Sequence, residues 1–281
     1  MNEFIKIVLL FFIYSFIGWL WETVYCSLKA RKFVYRGFLV GPYCPIYGFG
    51  ILGVLYFLEP LKQNIVILYL LSTVLVTILE YITSYGLEKM FHASWWDYKD
   101  VPLNINGRVA LPVSLFWGIG CVLIVRVIHP KVMLFEDFLS EKFGILLPII
   151  LLLLIMTDLI YTLGNMQAFK KVTAQISTAI EERKQELETV LTEKRDELSS
   201  NLSELKETVS EGINERKQAK TTERNSLMEE FKETPAIKKL VTHLNYNQKR
   251  WVRNYPKLKL KNVKNPSEVQ QVINKNKKKS K

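Results

Sequence analysis

Five apolar stretches, each about as long as a bilayer is thick, dominate the first 166 residues and constrain the fold more than any other feature. They are Ile7–Leu28, Phe38–Leu58, Ile65–Leu87, Ala110–Ile128 and Gly144–Gly164. A helix needs roughly 20 apolar residues, at about 1.5 Å rise each, to cross the hydrocarbon core. In lipid, a chain can satisfy its backbone polar groups within one segment only as a helix. The expectation is an all-α, polytopic membrane protein with about five transmembrane helices. The first stretch is longer than a secretory signal, has no small-residue cleavage site and ends in Lys29, Arg31 and Lys32, so it reads as a retained anchor.

Charge divides the chain into three parts. Residues 1–166 form the expected transmembrane domain and residues 167–234 a charged helical or coiled-coil extension. Residues 235–281 form a flexible basic tail, with 14 Lys/Arg against 1 Asp/Glu. Cys26, Cys44 and Cys121 all fall within apolar runs, where cysteine acts as a small hydrophobe. Neither they nor the scattered His92, His129 and His243 have metal-ligand spacing, so no metal and no cofactor is expected.

Lys and Arg in the short loops set the orientation. Lys29, Arg31, Lys32, Arg36, Lys89, Lys99, Arg108, Lys170 and Lys171 fall on one side of a five-span topology. Lys6, Lys62, Lys131, Lys142 and Arg126 fall on the other. The bias puts the N-terminus outside and the C-terminal extension in the cytoplasm of a bacterial cell.

The second stretch contains Gly41-Pro42-Tyr43-Cys44-Pro45-Ile46-Tyr47-Gly48-Phe49-Gly50, too rich in proline and glycine for a regular helix. It reads either as broken backbone lining a polar cavity or as a kinked helix packed through small residues. Three acids lie inside spans: Glu22, Glu80 and Asp158, respectively seven, nine and twelve residues before Lys29, Lys89 and Lys170. The helical rise puts them about 10–18 Å from those boundary markers, in one layer of the cytoplasmic half. Pro42, Tyr43, Pro45 and Tyr47, with Ser114 and Trp117 of the fourth helix, enter that layer from the same side. Ionisable groups at such depth mark function, unless they merely pair with a neighbouring helix or snorkel. In the loop between the third and fourth spans, Trp95, Trp96 and Tyr98 suit a membrane interface. Asp97, Asn104, Asn106, Gly107 and Arg108 beside them suggest a structured lid or headgroup-binding loop.

These residues also carry a resemblance. Arg36-Gly37-Phe38-Leu39-Val40-Gly41-Pro42, Pro45-Ile46-Tyr47-Gly48, Glu80-Tyr81-Ile82-Thr83-Ser84, Leu87-Glu88-Lys89, Trp95-Trp96-Asp97-Tyr98 and Asn106-Gly107-Arg108 resemble the signature of a bacterial membrane family named ABC-transporter type IV, or ABC transporter permease. The resemblance spans about residues 11–132. It implies a permease subunit, and more about fold than about mechanism; in such a subunit the polar layer of Glu22, Arg36, Glu80, the broken second helix and the aromatic loop would be the substrate path.

From Val172 to Ile213, apolar residues recur with a mean step of about 3.7, nearer an eleven-residue repeat than a heptad. Such a stripe calls for a partner helix, most simply from a second copy of the chain. The basic tail suits anionic lipid headgroups, and nucleic acid is the less favoured target because no nucleic-acid module accompanies it. No Gly-rich phosphate loop is present, so a permease would need an ATPase subunit in trans. The alternative is an intramembrane lipid- or isoprenoid-modifying enzyme, with Glu80 as acid and Glu22 or Asp97 as base. A third reading is a membrane-anchored scaffold acting through coil and tail.

Overall fold

A computed structural model describes residues 3–202, 231, 234–255, 258–260, 263–264 and 266–275. The chain forms two compact units. The first comprises residues 1–166 and 253–260, the second 167–252 and 261–281.

The first unit is a helical bundle. It contains α1 (Glu3–Ala30), α2 (Pro45–Leu58), a 3₁₀ turn (Glu59–Leu61) and α3 (Ile65–Phe91), followed by α4 (Leu111–Leu123), a π-helical turn (Ile124–Ile128) and α5 (His129–Phe143). The chain then turns at Gly144 into α6, which runs without interruption from Leu146 to Leu202. Four helical stretches are long and apolar enough to cross a bilayer: Glu3–Ala30, Ile65–Phe91, Leu111–Phe143 and Leu146–Val190. In the apolar windows of the last three, only 17%, 22% and 11% of residues are buried inside the protein. Most of their apolar surface therefore faces outward, as lipid contact requires and water forbids. The chain is a membrane-embedded, mainly helical protein.

The second expected span is different from the other four. Its first seven residues, 38–44, are not helical, and the shorter apolar helix Pro45–Leu61 follows them. Proline explains the position of the break. Pro45 occupies the first turn of α2, where its missing N–H would have had no partner. Glycine brings α2 close to α1. A Cβ on Gly18 would overlap the Tyr47 ring, so only glycine lets that ring lie flat on α1. The core behind this contact joins Leu10, Tyr14, Ile51, Val54, Leu68, Cys121 and Val125. A second cluster of Val8, Phe12, Leu39 and Ile155 ties α6 to α1. At the far end, the buried Tyr14 hydroxyl lies 2.8 Å from His129 Nδ1. The Asn64 side chain caps α3 by accepting from Val66 N and Ile67 N.

Between α3 and α4 runs a loop with a short hairpin, β2 (Asn104–Ile105) against β3 (Val109–Ala110). Its turn places Asn106 at φ 55° and Gly107 at φ 69°, the left-handed pair that a tight hairpin requires. Just before the hairpin, β1 (Ala93–Ser94) pairs antiparallel with β4 (Lys259–Leu260), so a strand from the C-terminal tail belongs to the first unit.

The second unit joins α6 beyond Gln167 with α7 (Pro235–Thr242), most of α8 (Tyr246–Asn254) and α9 (Pro266–Lys275). Ile176, Ile180 and Leu187 of the expected stripe are buried, together with Ile237, Val241, Trp251, Val269, Val272 and Ile273 of these short helices. Phe169 meets Trp251 edge-on at 5.7 Å, and Lys184 Nζ lies 2.8 Å from Glu268 Oε1. At Phe169 and Lys184, α6 thus meets C-terminal helices of the same chain. The apolar residues of those helices repeat at three and four and so share one face of each helix. The stripe's last residues, Leu205, Val209 and Ile213, lie outside the described residues.

Candidate functional site

A cavity of about 190 Å³ opens among α1, α2, α3, α4 and the two loops at the Glu22 end of the bundle. Its rim is polar: Glu22, Arg36, Tyr47, Glu80, Trp96 and Tyr98. Its floor is apolar, built by Ile51, Val76, Leu79, Cys121 and Ile124, with Trp117 on the wall. From Trp117 to Ile124 the fourth helix descends about 10 Å. The site is thus a narrow amphipathic slot with its charges at the mouth. Cys121, read from sequence as inert packing, is part of the floor.

Two carboxylates face each other with different partners. Glu22 is held twice, by Arg36 Nε at 3.2 Å on one oxygen and by the Tyr47 hydroxyl at 2.7 Å on the other. The Arg36 and Glu22 side chains are 18% and 27% exposed, sheltered enough for the pair to be weakly screened. Glu80 accepts one hydrogen bond, 3.2 Å from the Tyr98 hydroxyl. Burial and, after it, the Glu80 charge push the Tyr98 phenol above its ordinary value, so Tyr98 remains a donor at any physiological pH.

Arg36 is also the anchor for the tail segment. Its Nη1 donates to the Asn254 carbonyl at 2.8 Å, and its guanidinium sits 4.0 Å from the centroid of the Tyr255 ring. Gly37 N donates to the Tyr255 hydroxyl at 2.9 Å, and Asn254 Nδ2 donates to the Tyr35 carbonyl at 2.7 Å. Tyr255 meets Trp95 edge-on at 5.0 Å, and Trp95 meets Phe38 at 5.2 Å. Residues 253–255 and 258–260 therefore strap the mouth of the bundle, the former through the arginine that lines the cavity. Sequence reasoning missed Asn254 and Tyr255. Their hydrogen-bond partners in the bundle are more than two hundred residues away, and nothing local distinguishes them from the rest of a basic tail.

The aromatic loop divides by role. Trp96 and Tyr98 line the cavity, while Trp95 packs against the strap. Trp96 Nε1 donates to the Arg108 carbonyl at 2.8 Å, and Arg108 Nη2 lies 3.0 Å from Glu88. The Arg108 guanidinium also sits 5.4 Å from the Tyr81 and Tyr85 ring centroids. Asn106 Nδ2 donates to the Tyr81 hydroxyl at 3.1 Å. Asp97 Oδ1 accepts from Lys99 N at 3.0 Å, within a local turn packed beside Gly107. Asp97, Asn106 and Arg108 thus brace the loop on α3 and are not among the cavity-lining residues.

Asp158 stands apart from the other two acids. Its oxygens accept from Val40 N at 3.0 Å, Gly41 N at 2.7 Å, the Tyr43 hydroxyl at 2.7 Å and Thr162 Oγ1 at 3.0 Å. Four donors saturate the carboxylate, which clips α6 to the non-helical loop ahead of α2. The broken backbone that sequence places beside a polar cavity therefore hands its free N–H groups to Asp158. Pro42, Tyr43 and Pro45 shape that loop and do not line the cavity, and Ser114 is buried on α4 away from it. Among the described residues no group of His, Cys, Asp and Glu is placed to hold a metal ion.

No curated protein and no solved structure matches the chain. A family does match, over residues 9–163, which is more than half of the chain and contains every cavity-lining residue described above. The chain belongs to the family described as Putative ABC-transporter type IV.

Proposed function

We propose that the chain is the membrane-embedded permease subunit of a transporter, that its substrate enters the cavity between Glu22 and Glu80, and that a separate polypeptide hydrolyses the ATP. The amphipathic cavity carries the reading. A slot with two carboxylates and a guanidinium at its mouth and an apolar floor inside a lipid-facing bundle suits a substrate that enters and leaves, whereas a purely structural core would be close-packed. Family membership supports the same class. The sequence carries no Gly-rich phosphate-binding loop, which is consistent with hydrolysis on a separate polypeptide. The excess of Lys and Arg at the cavity end orients that end to the cytoplasm, with the N-terminus outside.

Affinity capture of the full-length chain from native membranes, after cross-linking, tests this. The expected outcome is stoichiometric recovery of a nucleotide-binding subunit whose ATP hydrolysis falls in Glu80→Gln and Arg36→Gln. Recovery without any such subunit, together with ATP-independent conversion of lipid by the purified chain, would replace the permease reading by that of an intramembrane enzyme.

A further inference from the structure

The charges at the mouth of the cavity are unequal. Glu22 and Glu80 oppose the guanidinium of Arg36, and among the described residues no other cation lines the cavity. Arg36 is already engaged by Glu22, by the Asn254 carbonyl and by the Tyr255 ring. Both Glu22 oxygens are taken, by Arg36 and by Tyr47. Glu80 alone keeps an oxygen, Oε2, with no protein partner among the described residues. A half-buried carboxylate with one hydrogen bond is expensive in a low-dielectric site unless a positive group joins it. Tyr47, Trp96, Tyr98 and Trp117 line the same cavity. Their π faces attract cations and give anions nothing.

From this juxtaposition we infer that the cavity selects a lipophilic organic monocation: an ammonium head beside Glu80 among the aromatic rings, with a short apolar group on the floor of Ile51, Val76 and Ile124. An anion would meet two carboxylates and one guanidinium already committed elsewhere. A neutral molecule would offer Glu80 at most a hydrogen bond, with no opposite charge to hold its ionised form. The inference names the ligand class of the cavity assigned above and rests on that cavity being the substrate site.

Calorimetric titration of the full-length chain in zwitterionic nanodiscs tests it with three probes of one tail length: butyltrimethylammonium, 1-butanol and butanesulfonate. The cation is expected to bind at least about tenfold more tightly than either of the others. Glu80→Gln should erase that preference, Glu80→Asp should keep it, and Asp137→Asn, a charge removed from α5 outside the cavity, should leave it unchanged. Trp96→Leu should weaken the cation more than the alcohol, and this decides the matter if Glu80→Gln does not fold. Equal binding of the three probes, preference for the sulfonate, or a cation preference that survives Glu80→Gln would overturn the inference. Failure of the permease reading is separable. Cation binding without a captured ATPase subunit leaves the inference standing and removes that reading, and a captured subunit without cation preference does the reverse.

Discussion

Tyr255 offers a sharp test of whether the tail strap is held as described. Its side chain is 7% exposed, and its ring and hydroxyl make three separable contacts: the hydrogen bond from Gly37 N, the Arg36 guanidinium over the ring and the Trp95 edge. Each is worth about 1 kcal/mol. Tyr255→Ala should therefore favour detachment of the strap by about 3 kcal/mol, on the order of a hundredfold in its opening equilibrium. Tyr255→Phe removes only the hydroxyl and should cost about 1 kcal/mol, roughly fivefold. Hydrogen exchange read by mass spectrometry over residues 93–94 and 258–260 reports the opening directly, because β1 and β4 exchange only when unpaired. Burial, the largest cause, raises the Tyr255 phenol above its ordinary value. The attached strap is therefore favoured fully below about pH 10, where a free tyrosine ionises, and loses that share as the pH rises further. Exchange should be flat from pH 6 to 9 after correction for intrinsic rates. Wild-type exchange in Tyr255→Ala, or equal effects of the two substitutions, would refute the account.

Three other substitutions probe the frame around the cavity. Asp158→Asn turns an amide NH₂ toward two of the four donors and should lower the stability of the purified protein by about 1–3 kcal/mol, seen as a fall in its unfolding temperature. An unchanged temperature would mean that the clip between α6 and the loop contributes nothing. Gly18→Val should push the Tyr47 ring off α1 and break its hydroxyl contact with Glu22, at a cost of about 1–3 kcal/mol, whereas Gly164→Ala, with open space around its Cβ position, should be silent in the same melt. Gly107→Ala combines φ 69° with a Cβ only 2.6 Å from Asp97 Oδ1, so the hairpin amides of 104–110 should exchange faster while those of α3 do not.

Much of the architecture was legible because it depends on local composition. Lengths of apolar sequence set the spanning helices, since lipid demands that each segment satisfy its own backbone. Pro42 and Pro45 set the break, because proline removes a donor wherever it stands. Six candidate residues, Glu22, Arg36, Tyr47, Glu80, Trp96 and Tyr98, do meet around one cavity. Their depth along each helix could be counted from the flanking charges. Depth alone does not say which way Asp158 faces, and its carboxylate meets the loop ahead of α2.

Sequence by itself determined which segments are apolar and long enough to cross a membrane, where the second one breaks and how charge is divided along the chain, because these depend on neighbours within a turn or two. Only the tertiary structure decided the pairings. Glu22 is joined to Arg36 and Tyr47, Glu80 to Tyr98, and Asp158 to backbone amides 117 and 118 positions away. Tyr255 reaches Gly37 across 218 positions. A helical period says which side chains share a face and never which face of another helix they meet. That choice is made by packing, here by the absent side chain of Gly18 and the non-helical residues ahead of Pro45.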